Sequence, residues 1–155
     1  MDDQKIFIDR YVKPHNKVSR KVEQKDLTRV LREANVLYNL CFCRVGLYGG
    51  GLAVHHSQID DKDPMNFFVT KDKEIIINPE IIRHSNYTVL SKEACLSFPN
   101  EMPVNVSRWQ KIESRYYVVD NDGSLVIVKE KMSGERAKMY QHEFDHSLGV
   151  LIFNN

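Results

Sequence analysis

The run Gln141-His142-Glu143-Phe144-Asp145-His146 places two imidazoles four residues apart, with a carboxylate directly after the first. On a helix, positions four apart lie one turn apart on the same face. His142 and His146 can then grip one metal ion from one side. Glu143 stands beside water bound to that ion, where it can accept a proton. The position of the run restricts the chemistry further. Only nine residues follow His146, and none is His, Glu, Asp or Cys. A third protein ligand must come from upstream.

The best upstream candidate by residue type is Cys95, in Glu93-Ala94-Cys95-Leu96-Ser97, which follows a polar, turn-prone approach. Spacing alone leaves His55, His56 and His84 open as well.

These residues need elements to carry them. Asp26 has the chemistry of a helix N-cap. Leu27, Val30, Leu31, Ala34, Leu37, Tyr38 and Cys41 follow at three- and four-residue spacing, which predicts an amphipathic helix over 27–43 with that stripe buried. Cys41 and Cys43 are expected to be small packed side chains. Gly46 and Gly49-Gly50-Gly51 end the helix. Ile6-Phe7-Ile8 reads as a strand or extended arm. Strands are expected at 66–70, 74–78, 111–119 and 125–129, the last two flanking the turn-forming Asp120-Asn121-Asp122-Gly123. A second helix begins near Ser133 or Gly134, with Ala137, Tyr140, Phe144 and Leu148 as its buried stripe and Gly149 as its stop. Helix, strands, then helix is the order of an α+β fold.

Bulk properties set outer bounds. With 155 residues, 42% hydrophobic and 28% charged, the chain suits one globular domain spanning 1–155. Its net charge of +1 predicts neither nucleic acid nor a membrane surface as partner. The start, Met1-Asp2-Asp3-Gln4-Lys5, lacks the apolar segment of a secretory signal. Three cysteines and no export signal point to reduced thiols in a cytoplasmic setting.

Three ordered stretches together resemble the peptide deformylase family: Gly49-Gly50-Gly51-Leu52-Ala53, then Glu93-Ala94-Cys95-Leu96-Ser97, then Gln141 through His146. Ile77-Asn78-Pro79-Glu80-Ile81 resembles one of its strands, and Arg108-Trp109-Gln110-Lys111-Ile112 resembles the entry to another. The resemblance implies antiparallel sheets around a central C-terminal helix carrying the His-Glu pair, with an N-terminal helix before them. It makes Cys95, His142 and His146 the ligands of one divalent metal ion, Fe(II) natively, with zinc, nickel or cobalt able to occupy the same site.

The implied activity is hydrolysis of the formyl group from N-terminal formylmethionine of nascent peptides, with Glu143 as general base and then acid. Oxyanion donors are the backbone N–H of Leu96 and a glutamine after the glycine segment. Here the spacing departs from the family: an ungapped match puts His56 in that place, and a two-residue insertion puts Gln58 there. Gln58 is preferred because the following strand falls into register; His55 is then a plain loop residue. The resemblance implies backbone contacts to the peptide from Gly50, Gly51 and Ala94, of which Gly50 and Ala94 match positions whose main chain pairs with the substrate as an added strand. Glu135 stands where an apolar residue usually flanks the methionine pocket. Asp145 is structural by resemblance, or else a partner of a ligand histidine, and Gln141 helps to hold its helix.

The partners implied are N-formylmethionyl peptides, including nascent chains on the ribosome, met by a monomer. The chain resembles short members, such as phage-encoded ones, that lack a C-terminal extension, so ribosome docking by such a helix is not carried over. Two competing readings are a same-fold metallohydrolase acting on another N-acyl or peptide substrate, and a catalytically silent metal-binding homologue. The second is disfavoured by the presence of Glu143 beside the three ligands.

Overall fold

The structure, a computed structural model, describes residues 18–43, 53–60, 62–95 and 102–152. The strand or arm expected at Ile6–Ile8 and the glycine segment lie outside them. Helix α1 (Leu27–Tyr38) continues into a single π turn, Asn39–Cys43. Strands β1 (Ala53–His55), β2 (Phe67–Thr70), β3 (Ile75–His84), β4 (Thr88–Glu93), β5 (Val104–Trp109), β6 (Lys111–Val119) and β7 (Leu125–Ser133) follow, then helix α2 (Gly134–Ser147). Five strands form an antiparallel sheet in the order β1-β2-β3-β6-β7, and β4 pairs with β5 in a second. The expected α+β architecture, with antiparallel sheets and a helix near each end, is the one observed.

The large sheet is covered on both faces, and the pleat decides which side chain goes where. Val54, Phe67, Val69 and Ile77 pack with Val30, Ala34 and Leu37 of α1. Their neighbours Ala53, Phe68 and Ile76 pack with Ala137 and Tyr140 of α2. Alternation with a period of two sends successive residues to opposite layers. A strand buried on both faces therefore reads as an unbroken apolar run, which is why β2 is Phe67-Phe68-Val69-Thr70. Phe67 and Phe68 are both fully buried, each contributing about 2–3 kcal/mol by the area it removes from water.

Tyr140 fastens α2 to the sheet. Its hydroxyl donates to the Glu80 carbonyl at 2.9 Å and accepts from the Glu80 amide at 3.0 Å. Those backbone groups are available because β3 breaks register against β6 between Ile77 and Glu80. Gly149, at φ 76°, ends α2 with its amide on the His146 carbonyl, as its sequence position predicts.

Several expectations are corrected. Asp26 does stand before α1, but its carboxylate does not cap that helix. It accepts instead from the Glu23 amide and from Arg20. Leu31 and Leu148, assigned to buried stripes, are 44% and 50% exposed; each lies at the margin of a stripe narrower than its apolar residues suggest. β3 and β7 run longer than expected, and β1, β4 and β5 were not expected at all. The inward positions of β4 include Ser91 and Glu93, while Leu90 is exposed, so the usual apolar alternation is inverted there.

Candidate metal centre

Helix α2 carries His142, Glu143 and His146, and the end of β4 leads into Cys95. One ligand atom from each of Cys95, His142 and His146 lies within 4.8 Å of the others. Cys95 Sγ is 3.6 Å from His146 Nε2. The tautomer of His142 follows from its partner. Its Nδ1 is 2.9 Å from Glu93 Oε1, and an ionised carboxylate only accepts, so Nδ1 carries the proton and Nε2 offers its lone pair.

Two observations fit this triad to a divalent metal. The donor set of one sulfur and two imidazole nitrogens suits zinc and neighbouring transition metals. The pocket also demands positive charge. Burial alone would push the His142 imidazole down, yet Cys95, Glu93 and Glu143 outweigh it and raise it to about 10, so without a metal a second proton on Nε2 supplies that charge, and a metal would take its place.

Glu93 is the hub behind the site. Burial would raise its carboxyl, but Arg108 and His142 hold it down at about 2. Arg108, only 4% exposed, grips it with Nε at 2.8 Å and Nη2 at 2.6 Å. The third nitrogen of Arg108 reaches Asp145 at 2.6 Å. Asp145 therefore has a structural partner in Arg108, and the direct partner of the candidate ligand His142 is Glu93. Neither Glu93 nor Arg108 was given a role from sequence, although both sit inside the quoted motifs. The available signal was a charged residue at an inward strand position. Gln141 behaves as expected: its amide accepts from the Trp109 N–H at 2.8 Å and donates to the Trp109 carbonyl at 2.9 Å.

Glu143 is 3% exposed, and its Oε2 has no hydrogen-bond partner among the described residues. Burial is the main cause that pushes its carboxyl up to about 7; His142 opposes this and Glu93 adds to it. A carboxyl poised near neutrality can both take and return a proton.

The pleat separates the two adjacent histidines. Ala53 faces α2 and Val54 faces α1, so His55 turns to the metal side and His56 to the α1 side. His55, expected to be a plain loop residue, is fully buried, and its ring stacks on His146 at 6.2 Å. Burial pushes it down to about 3, so it is neutral. His56 is held by Glu33 Oε1 at 3.0 Å and by the Met65 amide at 2.9 Å. Gln58 comes back to the metal side, its Nε2 donating to Cys95 Sγ at 3.6 Å. The structure thus brings Gln58 to the triad and turns His56 away from it.

The remaining expected residues fall elsewhere. Ala94 is exposed beside Cys95. Leu96, Gly50 and Gly51 lie outside the described residues. Glu135 points to solvent and pairs with Lys138 at 3.4 Å. His84 is exposed and stacks on Trp109 at 3.7 Å, so it is no ligand. Cys41 is buried, and burial together with Glu143 pushes its thiol up to about 12, consistent with a packed, protonated side chain.

Residues 8–155 match the family model described as polypeptide deformylase. The chain belongs to the polypeptide deformylase family. It is 32% identical over 142 residues to the peptide deformylase of Brachyspira hyodysenteriae, covering 86% of this chain and 71% of that relative. It is 42% identical over 79 residues to the peptide deformylase of Thermotoga neapolitana, covering 51% of this chain and 45% of the relative. The chain thus spans about half the length of that curated relative. The solved peptide deformylase of Thermotoga maritima superposes with a TM-score of 0.72 at 27% identity, covering 97% of each chain. Members of this family are metalloenzymes, and the triad of Cys95, His142 and His146 is a candidate set of metal ligands in this chain.

Proposed function

We propose that this chain hydrolyses the formyl group from N-terminal formylmethionine of peptides, releasing formate and a free amine. One observation carries the reading: a cysteine and two histidines converge within 4.8 Å beside the buried carboxyl of Glu143, whose Oε2 has no hydrogen-bond partner among the described residues.

An unactivated amide needs a strong nucleophile, a stabilised oxyanion and a protonated leaving amine. A divalent ion on Cys95, His142 and His146 would supply Lewis acidity for the carbonyl and a lowered pKa for water. Glu143 takes the proton from the attacking water and delivers it to the amine as the C–N bond breaks. Its burial keeps bulk water away, and the open Oε2 is free to take the proton. The Gln58 amide and the Leu96 backbone N–H donate to the carbonyl oxygen as it gains charge. The main chain at Gly50, Gly51 and Ala94 pairs with the peptide as an added strand.

Fe(II) is the native ion in this reading, and zinc, nickel and cobalt fit the same donors. The substrates are formylmethionyl peptides, including chains emerging from the ribosome, and the protein acts as a cytoplasmic monomer. Among the described residues no helix is long and apolar enough to cross a membrane.

The test is deformylation of formyl-Met-Ala-Ser under anaerobic conditions with Fe(II) or Ni(II), with metal analysis of the same sample. Turnover with about one ion per chain is expected. Glu143→Gln should keep the metal and lose on the order of 10²-fold or more in kcat. A fully loaded wild-type protein that leaves the formyl group intact would overturn the reading.

A further inference from the structure

We propose that His56 is a positioning residue, a neutral imidazole that bridges α1 and the segment before β2 and so holds Gln58 against Cys95. This rests on the deformylase reading for the role of Gln58, and it concerns the two extra residues by which this chain departs from the family spacing.

Hydrogen-bond chemistry fixes the ring. The Met65 N–H, which can only donate, points at Nδ1 from 2.9 Å. The proton must then be on Nε2, which donates to Glu33 Oε1 at 3.0 Å. The ring is fully buried and stacks on Phe67 at 4.8 Å. Glu33 is anchored in turn. Arg29 Nε reaches it at 2.5 Å, and the two other nitrogens of Arg29 reach Asp60 at 2.8 Å and Asp63 at 2.6 Å. Glu33, His56 and Asp60 are spaced to hold a cation, but the Arg29 guanidinium already supplies that charge. The cluster is a clamp.

The clamp acts on one turn. His56, Ser57 and Gln58 form a single 3-10 turn closed by the Ile59 amide on the His56 carbonyl at 3.1 Å. Within it, Gln58 Oε1 accepts from the His55 amide at 2.8 Å. The oxygen of the side chain is committed, so the NH2 end must face Cys95. Fixing His56 at the start of so short a turn fixes where Gln58 ends. An oxyanion donor misplaced by about 1 Å loses much of its effect, on the order of 10- to 100-fold in rate.

The experiment uses the full chain loaded with Co(II), and reads both formyl-peptide turnover and the sulfur-to-cobalt charge-transfer band. His56→Leu and Glu33→Ala should each lower kcat about 10-fold or more with KM nearly unchanged. Each should move the band as Gln58→Ala does. His56→Gln, whose NH2 can replace the donor to Glu33, should recover most of the loss. The double variant His56→Leu/Gln58→Ala should be no worse than Gln58→Ala alone. If His56→Leu does not fold, Glu33→Ala gives the same comparison from the α1 side of the contact. Losses that multiply in the double variant, or a band unmoved in His56→Leu and Glu33→Ala while Gln58→Ala shifts it, overturn the proposal. A wild-type protein without turnover sinks the deformylase reading instead, and the band comparison still decides the positioning role.

Discussion

Glu93 offers the sharpest test of how the candidate metal ligands are held. Its Oε1 receives His142 Nδ1 at 2.9 Å and Arg108 Nη2 at 2.6 Å, and its Oε2 receives Arg108 Nε at 2.8 Å. Glu93→Gln with its oxygen in the Oε1 place keeps two of these bonds. It sets an NH2 against the Arg108 Nε–H, so one charge-assisted bond becomes a donor–donor contact. Glu93→Ala removes all three and leaves Arg108, 4% exposed, with Asp145 alone. Removing one partner of a buried ion pair costs about 3–5 kcal/mol. Because Asp145 remains, Glu93→Ala should fall near the lower end, about 3 kcal/mol, and Glu93→Gln should cost about 1–2 kcal/mol. Partners that orient a ligand histidine are worth ~10- to 100-fold in metal affinity. A fall of about 100-fold is expected for Glu93→Ala and about tenfold for Glu93→Gln. Urea unfolding of the metal-free protein and Ni(II) titration against a competing chelator measure the two effects separately. If Glu93→Ala is destabilised but binds Ni(II) as tightly as the wild type, Glu93 is only half of a salt bridge, and the tautomer argument for His142 fails.

Tyr140→Phe should cost about 1–3 kcal/mol in urea unfolding, because the Glu80 amide and carbonyl lose their shared partner; Ni(II) affinity should stay at the wild-type value. The hydrogen bond from Arg20 lowers the Asp26 carboxyl against the opposing effect of burial. A depressed carboxylate contributes its full stabilisation above the unfolded value of about 3.9, and that stabilisation fades as pH falls through the folded value. Asp26→Asn should therefore be less stable than wild type near neutrality, by about 1.5–3 kcal/mol for lost bonds to a charged group. It should show a shallower loss of stability on acidification below pH ~4; parallel curves for the two proteins would remove Asp26 from the acid response.

What could be read from sequence divides by the range of the interaction. The pairing of His142 with His146 is local, because helix period alone dictates it. Gly149 as a stop and the β6–β7 hairpin are local in the same way. The strand β4 lacks an apolar signal because its inward residues are Ser91 and Glu93, and Glu93 faces Arg108 and His142 rather than a greasy core. Glu93 and Arg108 lie fifteen residues apart, and no spacing rule connects them. The histidine ambiguity after the glycine segment had a physical answer that sequence contained but did not display. Once β1 is known to begin at Ala53 with its side chain towards α2, the pleat sends His55 to the metal side, and the turn that opens at His56 carries the next ring to the α1 side. The missing fact was the phase of a three-residue strand, too short for periodicity to reveal.

The density of function on α2 has a geometric cause. Successive residues on an α-helix are rotated by about 100°, so residues 141 and 145 share one stripe while 142 and 146 share the next. Gln141 binds the backbone of Trp109, and Asp145 binds the side chain of Arg108. Those two partners are consecutive residues of β5, so the first stripe is clamped at two heights to one strand. A helix held at two points along one stripe can no longer turn about its own axis. With that rotation fixed, the neighbouring stripe has only one direction in which to point, and His142 and His146 face Cys95. Arg108 then closes the circuit, since the same guanidinium that locks Asp145 also holds Glu93, and Glu93 sets the ring of His142. The six-residue run and the β4–β5 pair therefore form one unit, in which the candidate metal ligands are aimed by residues outside the triad.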